Sequence, residues 1–414
     1  MATTIDHTKK APSSSNPDFV SFGDTSNIDA FGRLRVSQIT TLFDAKQLHD
    51  KLPLFIDEVL NGATATHSTT NSETSLASAL TGEYAVMQTF QRFNYQSGKS
   101  QLMFMTFSDF HVQTNIEKRI GYFSAQITTP WYGTYDGIFL ENDGIDVSIR
   151  AYRSGTSTHN IPQSSWDDSL DGTGASGITV DWEKANILAL DFEWLGVGRI
   201  RWCLVINGAF IPFHYINNAN LTDNVYMSSP NQPLRWEMVQ TGAGSGSFNY
   251  ICASVNSEGS LNQVGKDGGI DDDGTHLDAN STSTWYYAIG LKLKAANLDS
   301  IIDVLSLVLK SDTNDDFVYR VVLNPTYAGA STYTAVTNYG VEYKLGVTAN
   351  TVSASGTILK SGFGDANTTI DADLKSAIRM GAGIKGTVDE LVIIVKPHSS
   401  NLDIHRAINW RELT

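Results

Sequence analysis

The chain has 414 residues, of which 41% are hydrophobic and 10% aromatic, and its formal net charge is −15. A hydrophobic fraction of this size supports a packed core and excludes wholesale disorder. The acidic charge argues against a nucleic-acid partner, because phosphates would be repelled. No apolar run approaches the ~20 residues that span a bilayer, so we expect no membrane insertion.

The first 45 residues predict an extended arm. Residues 1 to about 30 are rich in Ser, Thr, Asn, Asp and Lys and show little periodicity. Met1 is followed by polar residues and no apolar signal segment, so we expect synthesis in a cytoplasm. A polar arm of this kind is typical of a segment that gains order on binding a neighbour. We therefore predict an attachment segment over 1–45 and a main β-sandwich over 46–260.

Apolar and polar residues alternate from Ile187 to Ile216, with Asn207-Gly208 between two of the runs. Period-two alternation places one set of side chains in a core and the other towards water. An Asn-Gly pair between such runs predicts a tight hairpin. Two further runs, Tyr84–Tyr95 and Leu102–Phe110, have the length and turn chemistry of another hairpin, which we expect at the centre of a covered sheet.

The second half of the chain shows the same alternation after an acidic, glycine-rich stretch. We predict a loop over 261–283 and a second β-rich half over 284–414 that packs on the first. The fold class is all-β: an antiparallel β-sandwich or jelly roll, as one large or two sandwich domains. Cys203 and Cys252 each fall in a predicted strand, and we expect buried free thiols rather than a disulfide.

Motifs for metal binding and catalysis are weak. The stretch Asp267–Asp278 gathers carboxylates as a calcium loop would, but Asp272 stands where the EF-hand spacing requires glycine, which favours a solvated acidic turn. His214, His398 and His405 are scattered without the spacing of a transition-metal site. No phosphate-binding loop or nucleophile motif is recognisable. The sequence therefore predicts no metal, no cofactor and no catalytic residue.

Two glutamates keep a sugar-binding interpretation open. Glu193 precedes Trp194, and Glu237 follows Trp236, all in predicted strands. Carboxylates beside tryptophan are typical of sugar clefts, and equally of an amphipathic strand edge, and the sequence cannot measure their separation. Glu193, Glu237 and Trp236 are accordingly candidates for facing a glycan.

Several segments together resemble uncharacterised virion structural proteins of tailed bacteriophages. The most specific is Glu193–Arg199 (EWLGVGR). The others are Ala30–Ser37 with Thr41–Asp44, Trp166-Asp167 with Leu170–Gly174 and Ser176-Gly177, Val225–Met227 with Pro233–Glu237, and Asn409–Leu413. The stretch Ile187–Ile216 also looks like the central strands of concanavalin-type lectin sandwiches, an analogy of fold alone.

The resemblance implies a non-enzymatic β-sandwich subunit of the virion head or tail. We expect an arm-anchored tail, collar or fibre-type appendage component; the residues assigned to assembly are Phe31, Gly32, Arg33, Leu34 and Arg35. The expected partners are other virion proteins and copies of the chain, with a trimer as the favoured oligomer. Three alternatives stay open: a capsid decoration (head-fibre) protein, a host-attachment module that binds or degrades a surface glycan, and a calcium-stabilised adhesin using Asp267–Asp278.

Overall fold

A computed structural model of the chain describes residues 28–36, 38–259, 264–330, 332–374, 380–399 and 401–413. These residues form 28 β-strands and one short 3₁₀ turn, Gln163–Ser165, and no α-helix occurs among them. The described chain accordingly contains no helix that could span a membrane. The chain divides into two compact units, Met1–Asn262 (unit 1) and Gln263–Thr414 (unit 2). The predicted all-β, antiparallel fold is confirmed.

Unit 1 is a sandwich of two antiparallel sheets. Sheet I has the order β13-β12-β11-β6-β15-β4-β3, with β1 also paired to β15, and sheet II has the order β10-β9-β8-β7-β14-β5-β2. The strands are β1 (Ile39–Lys46), β2 (Phe55–Leu60), β3 (Thr64–Ser68), β4 (Glu73–Ser78), β5 (Tyr84–Thr89), β6 (Gln101–Ser108), β7 (Ile116–Ser124), β8 (Asp136–Asn142), β9 (Val147–Arg153), β10 (Thr156–Pro162), β11 (Asn186–Phe192), β12 (Ile200–Ile206), β13 (Ala209–Ile216), β14 (Leu234–Gln240) and β15 (Gly246–Glu258).

The core of unit 1 lies between the two sheets and follows from strand alternation. On β14, Leu234, Trp236 and Met238 are fully or almost fully buried in this core, while Arg235 and Glu237 have the opposite parity and point to the outer face of sheet II. Leucines of β11 fill the core from sheet I in the same way. Burying one such side chain contributes roughly 1.5–3 kcal/mol, so a slip of register by one residue would be strongly disfavoured.

The predicted hairpin within Ile187–Ile216 is confirmed. Strands β11, β12 and β13 are consecutive neighbours, with Leu188 opposite Leu204 and Ile206 opposite Ala209. Asn207 and Gly208 form the two-residue turn, with φ angles of 53° and 77°. A turn with two positive φ angles matches the right-handed twist of the flanking strands, and Asn-Gly adopts it readily.

The predicted pairing of Tyr84–Tyr95 with Leu102–Phe110 is wrong. Strand β5 lies in sheet II between β14 and β2, whereas β6 lies in sheet I between β11 and β15. Both strands are interior and largely buried, as their bulky residues on both faces indicate, although β5 lies next to the edge strand β2. Residues 96–99 do form a turn, closed by the hydrogen bond from Lys99 N–H to the Gln96 carbonyl oxygen. However, the connection 90–100 is long enough to cross between sheets about 10 Å apart. It therefore joins the two sheets.

The carboxyl-terminal part of the arm predicted over 1–45 belongs to the sandwich. Residues Ile39–Lys46 form β1, which pairs with β15, and Phe43 and Ala45 lie in the core. Their burial on alternate positions makes them part of the sandwich. Residues 1–27 lie outside the described residues. Among the described residues, Cys203 is buried, Cys252 is half-buried, and neither forms a disulfide.

Unit 2 contains two more antiparallel sheets around its own core. Sheet III has the order β16-β28-β19-β26, with β17 also on β28, and sheet IV has the order β21-β24-β18-β27-β20-β25, with β23 on β18 and β22 on β23. The strands are β16 (Lys266–Asp271), β17 (Leu277–Ala279), β18 (Trp285–Leu293), β19 (Ile302–Ser311), β20 (Phe317–Leu323), β21 (Thr326–Tyr327), β22 (Thr334–Ala335), β23 (Val341–Leu345), β24 (Thr351–Ala354), β25 (Thr357–Gly364), β26 (Thr369–Asp373), β27 (Glu390–Pro397) and β28 (Leu402–Glu412).

The acidic loop predicted over 261–283 contains two short strands, β16 and β17. Strands β16 and β17 both pair with β28, one after the other along the same edge. Ile270 and Leu277 pack on the core of unit 2, whereas Asp271 and Asp273 between them are exposed and Asp272 is buried against His405. The stretch resembles a loop by composition because its few apolar residues are widely spaced among glycine and aspartate.

Candidate attachment site

The described chain begins with a tight turn built around Asp29. An isolated bridge joins Ile28 to Leu34, and the Asp29 Oδ1 atom accepts the backbone N–H of Phe31 at 2.9 Å and that of Arg33 at 2.7 Å. Gly32 has φ +77°, a conformation that residues with a Cβ adopt with strain. The sequence Asp29-Ala-Phe-Gly32 therefore encodes the turn locally, because aspartate side chains accept backbone N–H groups in turns.

This turn is fastened to the outer face of sheet I by a shared carboxylate. Asp191 Oδ2 accepts hydrogen bonds from Arg35 Nη2 and from Arg201 Nη2, each at 2.6 Å. The same two arginines also donate to the carbonyl oxygen of Ile28, both at 2.8 Å. Ser100 donates to the other oxygen of Asp191. Asp191 and Arg201 are almost completely buried, so segment and sheet are joined by a closed set of charged hydrogen bonds.

A second ion pair lies beside the first. Arg33 Nε is 2.5 Å from Asp29 Oδ2, and Arg33 Nη2 pairs with Glu193 Oε1. The Arg33 side chain is 51% exposed, whereas the Glu193 side chain is buried. Arg35 also pairs with Glu258 at 3.1 Å. We use the name clamp for this set: Asp29, Arg33, Arg35, Asp191, Glu193, Arg201 and Glu258.

Glu193 is the most perturbed acid of the clamp. Burial, together with the neighbouring Asp29 carboxylate, raises the pKa of the Glu193 carboxyl to about 8, against the opposing effect of Arg33. Burial also raises the pKa of Glu258. A crowded group of carboxylates that share arginines holds a proton more readily than an isolated pair does. Glu193 is therefore the residue of the clamp whose protonation changes near neutral pH.

An exposed apolar surface surrounds the clamp. Phe31 and Leu34 are 42% and 43% exposed, and Val36 is 83% exposed. An open groove of about 470 Å³ begins at Phe31 and continues along Leu195, Val197 and Arg199 to the loop 217–219. Clustered exposed hydrophobic side chains of this size are typical of protein interaction sites.

Sheet II carries a different charged network on its outer face. Arg119 contacts three carboxylates with three nitrogens: Glu141 at 2.7 Å, Glu237 at 2.9 Å and Glu117 at 2.5 Å. Arg235 pairs with the other oxygen of Glu237 at 2.8 Å. Arg119, Arg235 and Glu237 are buried, and their mutual pairing offsets part of the cost of burying them. We call these five residues the sheet II network.

The loop before β8 covers this network. Arg235 Nη2 donates to the Trp131 carbonyl oxygen at 2.6 Å, and the Tyr84 hydroxyl donates to the same oxygen at 2.9 Å. The Tyr135 hydroxyl donates to Glu237 Oε1 at 2.6 Å. Burial and the Glu237 carboxylate raise the pKa of the Tyr135 hydroxyl, which keeps it a donor. Glu237 is therefore fully engaged by the chain's own groups.

The structure brings some of the predicted site residues together and separates others. The assembly residues Phe31–Arg35 meet Glu193 at the clamp. Glu237 lies on the other sheet, and Trp236 is a core residue whose ring centroid is 4.3 Å from that of Tyr250. Glu193, Glu237 and Trp236 are each buried, so they do not form one sugar-facing surface.

Sequence reasoning missed the acids and bases that complete the clamp. Asp191 and Arg201 have the polar parity of their strands, which predicted only that they face away from the core. Their partners Ile28 and Arg35 lie more than a hundred residues away along the chain. No local pattern marks such a pairing, although buried arginine and aspartate on one sheet face require opposite charges from elsewhere.

No family model and no curated protein matches this sequence. Among solved structures, the chain is similar to the Bacillus licheniformis β-glucanase, with 13% identity over 51% of this chain and 95% of that one and a TM-score of 0.34. It is similar to the Emp47p carbohydrate recognition domain, with 10% identity over 54% and 97% and a TM-score of 0.33. A protein of unknown function from Shewanella oneidensis MR-1 gives 6% identity over 58% and 93%, with a TM-score of 0.38. Similarities at this level concern the β-sandwich fold alone.

Proposed function

We propose that this chain is a non-enzymatic structural subunit of a tailed bacteriophage particle, attached through the surface around its clamp. The observation that carries the proposal is the clamp itself. Buried ion pairs fix Ile28–Arg35 on sheet I, while Phe31, Leu34 and Val36 remain exposed on its outer side. Ile28, where the described chain begins, is therefore held at one defined place beside an apolar surface that a neighbouring subunit can cover.

The chemistry of the clamp supports an assembly role over a catalytic one. Its carboxylates are paired with arginines, and these pairs position backbone rather than surround a cleft for a small molecule. The resemblance of Ala30–Ser37 and Glu193–Arg199 to phage virion proteins falls on the two segments that meet here. The glycan-binding alternative loses the residues on which it was based, because Glu193, Glu237 and Trp236 are buried and lie on two sheets or in the core.

The test uses the phage that encodes the chain. The double variant Phe31→Ser, Leu34→Ser removes exposed apolar side chains and leaves every ion pair of the clamp in place. We expect normal thermal unfolding of the purified protein and at least a tenfold lower copy number per purified particle, measured by quantitative mass spectrometry. Ile145→Ser is the matched control, because Ile145 is 85% exposed in unit 1 and lies outside this surface.

Incorporation of the double variant at the wild-type copy number would overturn the proposal. Deletion of residues 1–27 separates the contribution of the preceding segment, because it leaves Ile28 and the clamp intact. We expect this deletion to keep unit 1 folded and to reduce incorporation as well. Sedimentation velocity of the free protein tests the expected homo-oligomer, and an electron-microscopy map of the particle distinguishes a tail or fibre position from a capsid decoration.

A further inference from the structure

Two three-residue segments of unit 2 lie side by side on antiparallel strands and carry similar residue types in reverse order. Strand β17 follows His276 and includes Leu277 and Asp278, and β28 includes Asp403, Ile404 and His405. The register pairs Leu277 with Ile404 and Asp278 with Asp403. Leu277 and Ile404 are buried in the core. Alternation therefore places His276, Asp278, Asp403 and His405 together on the opposite face of sheet III.

Three of these side chains converge on one point. His276 Nε2 is 3.0 Å from Asp278 Oδ1 and 3.9 Å from Asp403 Oδ2. One donor atom from each of the three residues lies within 4.8 Å of the other two. The three side chains are exposed or half-buried, so an ion from solvent can reach them.

Two aspartates and one histidine give this point an excess of negative charge. Asp278 and Asp403 stand directly opposite each other on paired strands, and like charges in that position are destabilising. The basic group within ion-pair distance of both, among the described residues, is the His276 imidazole. His405 is already held between Asp272 at 3.1 Å and Asp312 at 2.9 Å, so its nitrogens do not neutralise the pair.

We propose that His276, Asp278 and Asp403 bind one divalent transition-metal ion of the Zn²⁺ class. Zinc bonds to imidazole nitrogen and carboxylate oxygen are about 2.0–2.2 Å long, which sets neighbouring donors about 3–4 Å apart. The separations from His276 Nε2 already fall in that range. An imidazole with two carboxylates matches this class of ion, whereas Ca²⁺ prefers six to eight oxygen ligands.

The bound ion would connect β17 and β28 at the point where Asp278 and Asp403 repel each other. Strand β17 has only three residues and, within the described parts of the chain, pairs with β28 and no other strand. An ion shared by Asp278 and Asp403 replaces their repulsion with a common ligand bond, so metal binding stabilises the folded state of unit 2. Water completes the coordination, which leaves positions that an outside ligand can occupy. This inference does not depend on the proposed function.

The experiment uses the full chain without an affinity tag of histidines. Isothermal titration with ZnCl₂ is expected to give one site per chain, and thermal unfolding is expected to shift upwards with Zn²⁺ and back with a chelator. Co²⁺ is expected to give a visible absorption band on binding. His276→Ala and Asp403→Asn are each expected to weaken Zn²⁺ binding by at least about tenfold.

His398→Ala is the matched control, because His398 is an exposed histidine of unit 2 outside the group of three. It should leave Zn²⁺ affinity unchanged. Absence of stoichiometric Zn²⁺ binding by the wild-type chain would overturn the assignment, as would equal affinities of the His276→Ala and His398→Ala variants. Binding of Ca²⁺ as strong as that of Zn²⁺ would overturn the class of ion.

Discussion

The two sheets of unit 1 each bury a set of charges on their outer faces, and they do so in different ways. The sheet II network is assembled from neighbouring strands and covered by a loop whose Trp131 carbonyl oxygen is held by Arg235 and Tyr84. The clamp on sheet I is completed by a short terminal segment, one of whose arginines is half exposed. The first set of charges is integral to the sandwich, whereas the second can be uncovered by releasing a few residues.

The largest effect is expected from breaking the sheet II network. Glu237→Ala leaves Arg119 and Arg235 short of a buried counter-charge, and removing one partner of a buried ion pair destabilises by about 3–5 kcal/mol. We expect a loss of this size in the free energy of unfolding of unit 1, measured by urea titration. Glu183→Ala is the control at an exposed site; a similar loss in both variants would contradict the assigned role of the network.

Breaking the clamp should have a smaller and more local effect. Asp191→Ala removes the shared acceptor of Arg35 and Arg201, which we expect to destabilise by about 2 kcal/mol and to release the terminal segment. Trypsin should then cut after Arg33 and Arg35 at least tenfold faster than in the wild-type chain. Glu237→Ala is the control for cleavage. If trypsin cut Asp191→Ala no faster than it cuts the wild-type chain and Glu237→Ala, other contacts would be holding the segment.

The pH dependence should distinguish the two sets of charges further. The pKa of Glu193 is raised to about 8 in the folded chain, so between its ordinary value near 4.5 and pH 8 the folded state holds a proton that the unfolded state lacks. Stability at the clamp therefore falls as pH rises through this window, by up to about tenfold in the opening equilibrium per pH unit. Hydrogen exchange of residues 28–36, corrected for intrinsic rates, measures this directly.

Glu193→Gln is the matched variant for that measurement, because glutamine keeps the shape of the protonated acid and cannot titrate. Its exchange rates, after the same correction, should be flat across the window. A wild-type segment that becomes better protected as pH rises would show that the Arg33 pairing dominates and that the carboxyl is ionised.

The smallest effect is expected at the turn itself. Gly32 has φ +77° and open space around the position of a Cβ, so Gly32→Ala introduces backbone strain of about 1 kcal/mol without a clash. Gly208 in the β12–β13 hairpin has φ +77° and the same open surroundings. Both variants should lose similar global stability, but only Gly32→Ala should speed tryptic cleavage after Arg33. Equal rates of cleavage after Arg33 in the two variants would show that the conformation of Gly32 does not help to hold the segment in the clamp.

Local patterns predicted the elements of this chain better than their partners. The parity of Ile187–Ile216 and the Asn207-Gly208 pair specify strands and a turn, because both depend on residues close in sequence. The split of β5 and β6 between two sheets was not predictable, since the connection 90–100 suits a hairpin and a crossing equally. The acids near Asp267–Asp278 looked like a loop because composition does not reveal pairing with β28.

The candidate sites show the same limit. Phe31–Arg35 stood out through resemblance, and Glu193 through its neighbour Trp194, yet the contact between Arg33 and Glu193 joins positions far apart in sequence. The spacing of His276 to Asp278 and of Asp403 to His405 is visible in the sequence as a period of two. It becomes a possible ion site only once the register of β17 on β28 is known.

The carboxylate shared by Arg35 and Arg201 has a mechanical consequence. Asp191 lies on β11, which is hydrogen-bonded to β12 along one edge and to β6 along the other. Tension applied to the polypeptide ahead of Ile28 would be transmitted through the two guanidinium groups into an interior strand, and so spread over both neighbours. A sandwich pulled at this point would resist as a whole sheet, because β11 shares the load with both of its neighbours.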